Sequence, residues 1–374
     1  MLTWRKVALV AALGATAIAP RARAVELADG KLSINGFGRW DYGRTLVGTN
    51  HYAEASPGGH YDSGQLALAF SSRLTDRATV ATQVDLHADQ RGIEVDWVFG
   101  EWKFSDQVRL QVGIFKHPLG LYGEVIDVGT LHPFGHLPQG IYGPTELVVE
   151  GVKGVGLNGA AYDRDGWTLS YDAYLGALEY LVDEPFDRLL APQSLQPGRA
   201  LELEDEDARE TLGGRLTLAT PVEGLSFRLS GYGNWVRSDE TGLRWVLGPS
   251  VEYASDRLTV QAEYFHRHDV SVLRIHTGYV LASYFLTEHL QVALRGEVSE
   301  TELLALTEGS PLLRHRELAA GVNWWFTPSL VVKLSIHGID GNRLAKPEML
   351  DDALLDGTLT PTTVAVFGGT SFSF

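Results

Sequence analysis

Alternation of side-chain polarity with a period of two residues runs through almost the whole chain. It is clear at Val80–Leu86, Val108–Ile114, Leu258–Tyr264 and Val332–Ile336, where one set of alternate positions is mainly apolar and the other is polar or small. Successive side chains of a β-strand point to opposite faces, so each segment predicts a strand with one apolar and one polar face. The segments are about nine to twelve residues long, which suits a tilted strand that crosses a bilayer.

Short and longer connections alternate along the chain. Seven short turns have turn-forming residues at their centres, at 75–77, 105–107, 163–166, 220–224, 255–257, 287–289 and 327–329. Eight mostly longer connections lie between them, at 43–64, 88–92, 116–153, 177–210, 237–242, 267–270, 299–314 and 338–361. In an antiparallel meander, alternate connections lie at the same end, so one end has tight turns and the other has loops. These connections join sixteen strands, and an even strand number with this asymmetry is typical of an outer-membrane barrel.

The predicted fold class is therefore all-β: a transmembrane antiparallel up-and-down barrel of about sixteen strands. The phase of the alternation is ambiguous at 93–104 and at 273–285. Because of these two segments, any number from fourteen to eighteen strands stays open. A final strand that closes on the first would leave no unpaired backbone edge in lipid.

The first 24 residues have the features of a secretory signal peptide. Arg5 and Lys6 precede the apolar stretch Val7–Ala19, and Ala22-Arg23-Ala24 is a small-x-small cleavage pattern. The apolar stretch is too short to span a bilayer as a helix, although a retained N-terminal anchor is the alternative. We expect Sec-type export, cleavage after residue 24, and a barrel formed by residues 25–374.

Charge and cysteine content exclude several classes of function. Removal of the signal removes four positive charges and no negative ones, which takes the formal net charge from −16 to −20. So acidic a chain is not expected to bind nucleic acid, which requires a basic surface. The chain has no cysteine, so thiolate catalysis and zinc–thiolate sites are excluded.

Aromatic residues cluster near the predicted strand ends. Those beside the short turns are Phe104, Tyr162, Trp167, Phe227, Tyr253, Phe285, Trp324, Trp325 and Phe326, and those at the opposite ends are Trp40, Tyr42 and Trp235. Two such belts are expected where aromatic rings meet the lipid headgroups. Core aromatics of a soluble β-protein are the alternative, but they leave the signal peptide and the turn asymmetry unexplained.

The C-terminus carries a family resemblance. The last segment ends in Phe374, and Val364, Val366 and Phe372 share its face. This ending resembles the final strand by which the bacterial assembly machinery recognises outer-membrane barrels. Together with the strand number, the whole mature chain resembles the sixteen-stranded Gram-negative porins, and Val112–Tyr122 is similar to a segment of phosphate-selective-type porins where a strand enters its long loop.

The resemblance implies an outer-membrane location, a water-filled pore, an inward-folded constriction loop and often a homotrimer. The implied partners are outer-membrane lipid, lipopolysaccharide and small hydrophilic solutes, with no cofactor. No substrate follows from the resemblance, because phosphate-binding residues cannot be matched one by one.

The alternation assigns charged side chains of both signs to the water-facing side of the wall. The predicted pore-lining residues are Arg39, Arg73, Asp85, Arg109, Asp172, Arg215, Arg228, Glu263, Arg295 and Lys333. Two interpretations stay open. In the first, the basic residues attract anions and the acidic ones create a transverse electric field across the pore. In the second, the two kinds pair across neighbouring strands and only neutralise each other within the wall.

Residues 116–153 form the third long connection and are the predicted constriction loop. The loop residues that we expect to face the pore are Lys116, His117, Glu124, Asp127, His132 and His136. Prolines at 118, 133, 138 and 144 stiffen the loop, which suits a fixed aperture. An ordinary outer loop folded over the rim is the alternative.

Metal binding in this loop is not expected. His132 and His136 are four residues apart, and Asp127 or Glu146 would complete a site. Pro133 interrupts the stretch, so the helical spacing that would align the two rings is absent. We predict no metal site.

Two further clusters offer alternative functions. The acidic run from Glu202 to Glu210 is interpreted as a solvated loop, with divalent-cation bridging to lipopolysaccharide as the alternative. His266, His268, Asp269 and Ser271 are the nearest approach to a hydrolase site. The predicted function is a non-enzymatic porin for passive diffusion of small hydrophilic solutes or ions. The alternatives are a phosphate-like anion channel and an outer-membrane barrel hydrolase.

Overall fold

The computed structural model describes residues 25–27, 31–48, 51–53, 55–88, 93–143, 147–181, 205–235, 243–270, 273–303, 311–345 and 360–374. The predicted signal peptide, Glu146, Ser271 and the first residues of the acidic run lie outside these ranges. The strands are β1 Val25–Leu27, β2 Leu32–Val47, β3 Ala55–Ser56, β4 His60–Arg73, β5 Ala78–His87, β6 Glu94–Lys103, β7 Arg109–Lys116, β8 Gly151–Arg164, β9 Trp167–Leu181, β10 Asp205–Ala219, β11 Leu225–Trp235, β12 Leu243–Ala254, β13 Leu258–Asp269, β14 Leu273–Phe285, β15 Leu290–Leu303, β16 Arg314–Thr327, β17 Leu330–Asp340 and β18 Thr362–Ser373. Gly129–Leu131 and Pro311–Leu313 form single 3-10 turns, and Gln139–Tyr142 forms the one-turn helix α1.

Sixteen of the described strands, β2 and β4 to β18, form one antiparallel sheet that closes on itself. Each pairs with the next along the chain, and β18 pairs with β2. Backbone hydrogen bonds of 2.9 Å run in both directions between Gly36 and Phe374 at this seam. The closed sheet leaves the barrel without an open edge, as strands in lipid require. The predicted sixteen-stranded transmembrane barrel is confirmed.

Turns of two to five residues join the strands at one end of the barrel, at all seven predicted positions. The opposite end carries the other connections, and the longest described one, 117–150, joins β7 to β8. The predicted boundaries of this connection are slightly wrong, because Lys116 ends β7 and Gly151–Lys153 begins β8. Several strands also exceed the predicted length, with sixteen residues in β2.

The two segments of ambiguous phase have different physical causes. In β6, Gln83 pairs with Trp97 and Val84 pairs with Val95, so Asp96 is an extra residue in a β-bulge that breaks the alternation. In β14 the alternation is regular, but inward positions such as Tyr279 are apolar because they pack against the long loop. A strand that is buried on its inner face by another apolar segment loses the polar half of its pattern.

The outer face of the wall is apolar. Leu216, Leu294, Leu318 and Leu334 are among its exposed side chains. At the closing seam, the tips of the Phe372 and Phe374 rings lie over Gly38 and Gly36, where an added Cβ would stand 2.2 Å from either ring. No helix among the described residues is long and apolar enough to span a membrane.

A second apolar cluster lies inside the barrel, and about half of its side chains come from residues 117–150. Leu119, Phe134, Ile141 and Leu147 of this loop are almost fully buried against inward rings such as Phe265. Burial of these side chains stabilises the loop inside the wall, since each apolar side chain removed from water contributes about 1.5 to 3 kcal/mol. The loop thus has its own core rather than hanging free in the lumen.

Candidate pore constriction

Loop 117–150 is held by side chains from strands around the whole wall. Hydrogen bonds or ion pairs connect it to Gln83 of β5, Arg215 of β10, Glu263 of β13, Arg295 of β15 and Lys333 of β17. A segment that reaches such widely separated strands of a closed sheet must lie inside that sheet. These side chains also share the inward-facing parity of their strands.

Glu263 is the hub of one anchor. Its carboxylate accepts hydrogen bonds from the Leu121 amide at 2.9 Å, the Tyr142 hydroxyl at 2.5 Å, the Tyr279 hydroxyl at 2.7 Å and the Ser250 hydroxyl at 2.6 Å. Two donors come from the loop and two from the wall. Four donors satisfy a buried carboxylate that would otherwise be costly, and they fix the loop between Leu121 and Tyr142.

Arg295 and Lys333 form a second anchor. The Arg295 guanidinium bonds to Glu317 at 2.6 Å, donates to the His136 carbonyl at 3.0 Å and lies 4.9 Å from the Phe134 ring centroid. Lys333 donates from Nζ to the Gly129 carbonyl at 2.6 Å. Both cations therefore bind the backbone of the loop directly, which leaves them little capacity to attract a passing anion.

Lys116 stands at the start of the loop between two carboxylates. Its Nζ lies 2.6 Å from Asp96 and 2.7 Å from Asp127. Gln83 donates to Asp127 at 3.0 Å and to Asp85 at 3.1 Å. Burial alone would raise the pKa of Asp127, but Lys116 and the Gln83 hydrogen bond outweigh it and hold that pKa at about 2.

Arg215 connects the middle of the loop to the wall. Its guanidinium lies 2.5 Å from Glu124 in the loop and 2.9 Å from Asp172 on β9. Arg228 donates to the Leu121 carbonyl at 3.0 Å and lies 3.6 Å from Glu252. Because the Arg215 guanidinium pairs with two carboxylates, its removal would leave both Glu124 and Asp172 unpaired.

The three histidines of the loop point to different neighbours. His117 contacts the Tyr174 hydroxyl at 2.6 Å through Nε2, while Nδ1 accepts from the Val149 amide. His132 contacts the Val125 carbonyl at 3.1 Å. Burial, followed by nearby cations, lowers the pKa of both His117 and His132 to about 3, so both rings are neutral at pH 7.

Of the ten predicted pore-lining residues, eight lie where the wall meets the loop or its charged partners. Asp85 lies beside Asp127, and Arg39 lies next to Gly129, where a Cβ on the glycine would be 3.8 Å from the Arg39 Cβ. Arg73 ends β4 and Arg109 begins β7, so both lie at the end of the barrel that carries the short turns. These two are remote from the level of the barrel that the loop occupies.

Three groups of side chains among the described residues have ligand atoms that all lie within 4.8 Å of one another: His136 with Glu317 and His337, Glu297 with His315 and Glu317, and Asp85 with Asp96 and Asp127. His132 and His136, the pair that the sequence analysis considered and did not favour as ligands, face different neighbours: His132 packs on Tyr122 and His136 packs on His337. Glu317 already pairs with Arg295, and Lys116 already pairs with two of the three aspartates, Asp96 and Asp127. A protein cation therefore already contacts a carboxylate of each group.

Glu317 and His337 are site residues that the sequence analysis missed. Glu317 bonds to Arg295, to the Tyr52 hydroxyl and to His337 at 3.1 Å. Both lie on the inward parity of β16 and β17, and that parity is visible in the alternating pattern. The signal was present, but nothing in one sequence distinguishes an inward residue beside the loop from one elsewhere on the wall.

The described residues of the candidate hydrolase group lie on opposite faces of β13. Asp269 faces inward and pairs with Arg244 and Arg267, whereas His266 and His268 lie on the opposite face of β13. A carboxylate on the inner face cannot orient imidazoles on the outer face. This particular cluster therefore does not form a catalytic arrangement.

No family model and no curated protein matches the sequence. Solved structures do match in fold. OmpF of Salmonella typhi in complex with daunomycin has a TM-score of 0.62 and 14% identity, with 94% of this chain and 100% of that chain covered. The outer-membrane channel DcaP of Acinetobacter baumannii has a TM-score of 0.58 and 10% identity, with 94% and 100% covered. An anion-selective porin from Comamonas acidovorans has a TM-score of 0.58 and 8% identity, with 92% and 99% covered.

The closed sixteen-stranded barrel thus has the fold of the outer-membrane porins. The likeness covers more than nine-tenths of this chain and nearly all of each of these three neighbours. Identities of 8 to 14% show the fold alone and assign no solute. The resemblance that the sequence suggested is therefore confirmed at the level of fold.

Proposed function

We propose that this chain is an outer-membrane porin that lets small hydrophilic solutes diffuse passively, with loop 117–150 as its constriction. The observation that carries the proposal is the anchoring of this loop to the inner wall through Gln83, Arg215, Glu263, Arg295 and Lys333. A loop held from several sides narrows the lumen and keeps a defined aperture. It acts as a size filter rather than as a mobile lid.

Polar side chains on the part of the wall nearer the short turns support a water-filled passage. Glu101, Gln111 and Asn158 lie on the inward parity of β6, β7 and β8 and are partly exposed. Water accounts for such exposure, since lipid would not tolerate these groups. The proposed location is the outer membrane after Sec-type export, in contact with lipid and lipopolysaccharide, and the resemblance to porins favours a homotrimer.

General diffusion is a better proposal than a phosphate-selective channel. Of the basic residues expected to line the pore, Arg215 and Arg295 are paired with carboxylates, and Lys333 donates to loop carbonyls. A strong anion site needs cations whose hydrogen bonds are available to the ligand. The geometry favours pairing within the wall over a continuous basic strip.

Planar-bilayer recording of the purified protein tests the proposal. We expect stable ohmic steps, and a reversal potential in a KCl gradient that shows at most a mild ion preference. Arg228→Ala should change the conductance, because this side chain holds the loop carbonyls of Gly120 and Leu121. Arg109→Ala, at the level of the short turns, is the matched control and should change it less. A correctly assembled barrel that conducts no current would refute the proposal.

A further inference from the structure

We propose that the outer face of the barrel carries a site for a divalent transition-metal ion, formed by His266, His268 and His276. The site lies near the loop end of β13 and β14 and is separate from the constriction. It does not depend on the proposed porin function. Zn²⁺, Ni²⁺ and Cu²⁺ are the ions that imidazole ligands suit.

Strand register brings the three rings together. His266 and His268 are two residues apart on β13 and so share one face of the strand. His276 on β14 is the direct cross-strand partner of His266. Trp245 on β12 is the direct partner of His268, and its ring centroid lies 4.9 Å from that of His266 and 5.7 Å from that of His268.

The rings point away from the lumen. In β13 the alternate residues Phe265, Arg267 and Asp269 are buried on the inner side. Tyr264, which shares the face of His266, is 46% exposed, and Val280, which shares the face of His276, is 58% exposed. A metal ion therefore reaches these imidazoles from outside, at the level of the loops, without passing through the pore.

The spacing of two ring nitrogens matches a coordination polyhedron. Nδ1 of His266 lies 3.4 Å from Nδ1 of His276. Two nitrogens bound to one tetrahedral Zn²⁺ at about 2.0–2.1 Å stand about 3.3–3.4 Å apart. The pair of nitrogens thus already has the separation that a metal requires.

The Nδ1 atom of His276 has two neighbours that compete for one hydrogen bond. Nδ1 of His276 also lies 2.6 Å from the Tyr264 hydroxyl. A neutral ring nitrogen either donates one hydrogen bond or accepts one, so it cannot fully satisfy both neighbours. Coordination of a cation by the two Nδ1 lone pairs replaces the contested contact, and the tyrosine hydroxyl is free to turn outward.

A third ligand and the local charge complete the site. The His268 ring centroid is 6.2 Å from that of His266, so this half-buried side chain must rotate to bring its ring to the same ion. Arg274 is the cation flanking the rings on β14, and it lies 3.7 Å from Glu302. Glu302 therefore offsets part of the positive charge beside the rings.

Titration of the untagged protein in detergent micelles with ZnCl2, followed by calorimetry, tests the site. We expect one ion per chain, with affinity reduced about tenfold or more in His276→Ala and in His266→Ala. His289→Ala is the matched control, because this exposed histidine lies in a short turn at the other end of the barrel. Cu²⁺ should also quench the fluorescence of Trp245. The signal of this residue is obtained as the difference between the protein and its Trp245→Phe variant.

The outcomes separate a built site from adventitious binding. Equal loss in His289→Ala and His276→Ala, or affinity that both ring substitutions leave unchanged, would overturn the inference. Equal binding of Mg²⁺ would overturn it too, because Mg²⁺ prefers oxygen ligands. If His276→Ala does not assemble, His266→Gln keeps a polar side chain on the same face and tests the same pair of ligands.

Discussion

A disulfide between Arg39→Cys and Gly129→Cys tests the placement of the loop most directly. A Cβ on Gly129 would lie 3.8 Å from the Arg39 Cβ, and natural disulfides have a mean Cβ–Cβ separation of about 3.8 Å. The same Cβ would stand 2.7 Å from the Ser371 hydroxyl, so the pair is made in a Ser371→Gly background. The chain has no cysteine of its own, so no other disulfide competes.

The expected effect of this bond follows from the loop that it closes. Cross-linking positions 39 and 129 encloses about 90 residues, which in the chain-entropy model stabilises the folded protein by about 4 to 5 kcal/mol. Strain in the bond reduces this value. We therefore expect an increase of the urea midpoint that is reversed by dithiothreitol. Channel conductance should remain, because the bond holds the loop where it already lies.

Thiol titration after assembly under mild oxidation measures the bond itself. We expect no free thiol in the Arg39→Cys/Gly129→Cys protein and two in a Trp40→Cys/Gly129→Cys control. Trp40 is the next residue of β2, and its side chain points to the outer face, where it is 43% exposed. Two free thiols in the first protein, or equal cross-linking in both, would refute an inward-folded loop.

Three further predictions concern stability, each measured as the urea midpoint of the assembled barrel. Gly38→Ala should cost about 1 to 3 kcal/mol, because the new Cβ meets the Phe372 ring at 2.2 Å; an unchanged midpoint would contradict the packing at the seam. Arg215→Met should cost about 3 to 5 kcal/mol by leaving two carboxylates unpaired, and converting both partners to amides should recover part of the loss. His117 and His132 have pKa values of about 3 in the folded state, below the usual value of 6.5, so their stabilisation is complete above pH 6.5 and declines as pH falls towards 3. For each ring, the free energy of unfolding declines by about 1.4 kcal/mol per pH unit. A variant with His117→Gln and His132→Gln should not show this decline between pH 7 and pH 5. An equal slope in the variant would refute this origin.

The barrel itself was predictable from one sequence because lipid outside and water inside act on every strand separately. Each crossing segment records that difference in its own alternation, as Leu258–Tyr264 does, and each short turn carries its own turn formers. The closing strand could be inferred from Phe374 and its alternate aromatics. The two ambiguous segments failed where a local rule was broken: by the bulge at Asp96 in one case, and by apolar packing of Tyr279 against the loop in the other.

The partners of the inward residues are decided only by the tertiary structure. Alternation alone placed Glu263 and Arg295 on the water-facing side, but their contacts with Leu121 and His136 join residues more than a hundred positions apart. The same holds for the outer face, where strand register places His276 of β14 beside His266 of β13. Which face a side chain occupies is a local property of the strand, whereas what it meets there depends on closure of the sheet and on the path of the loop.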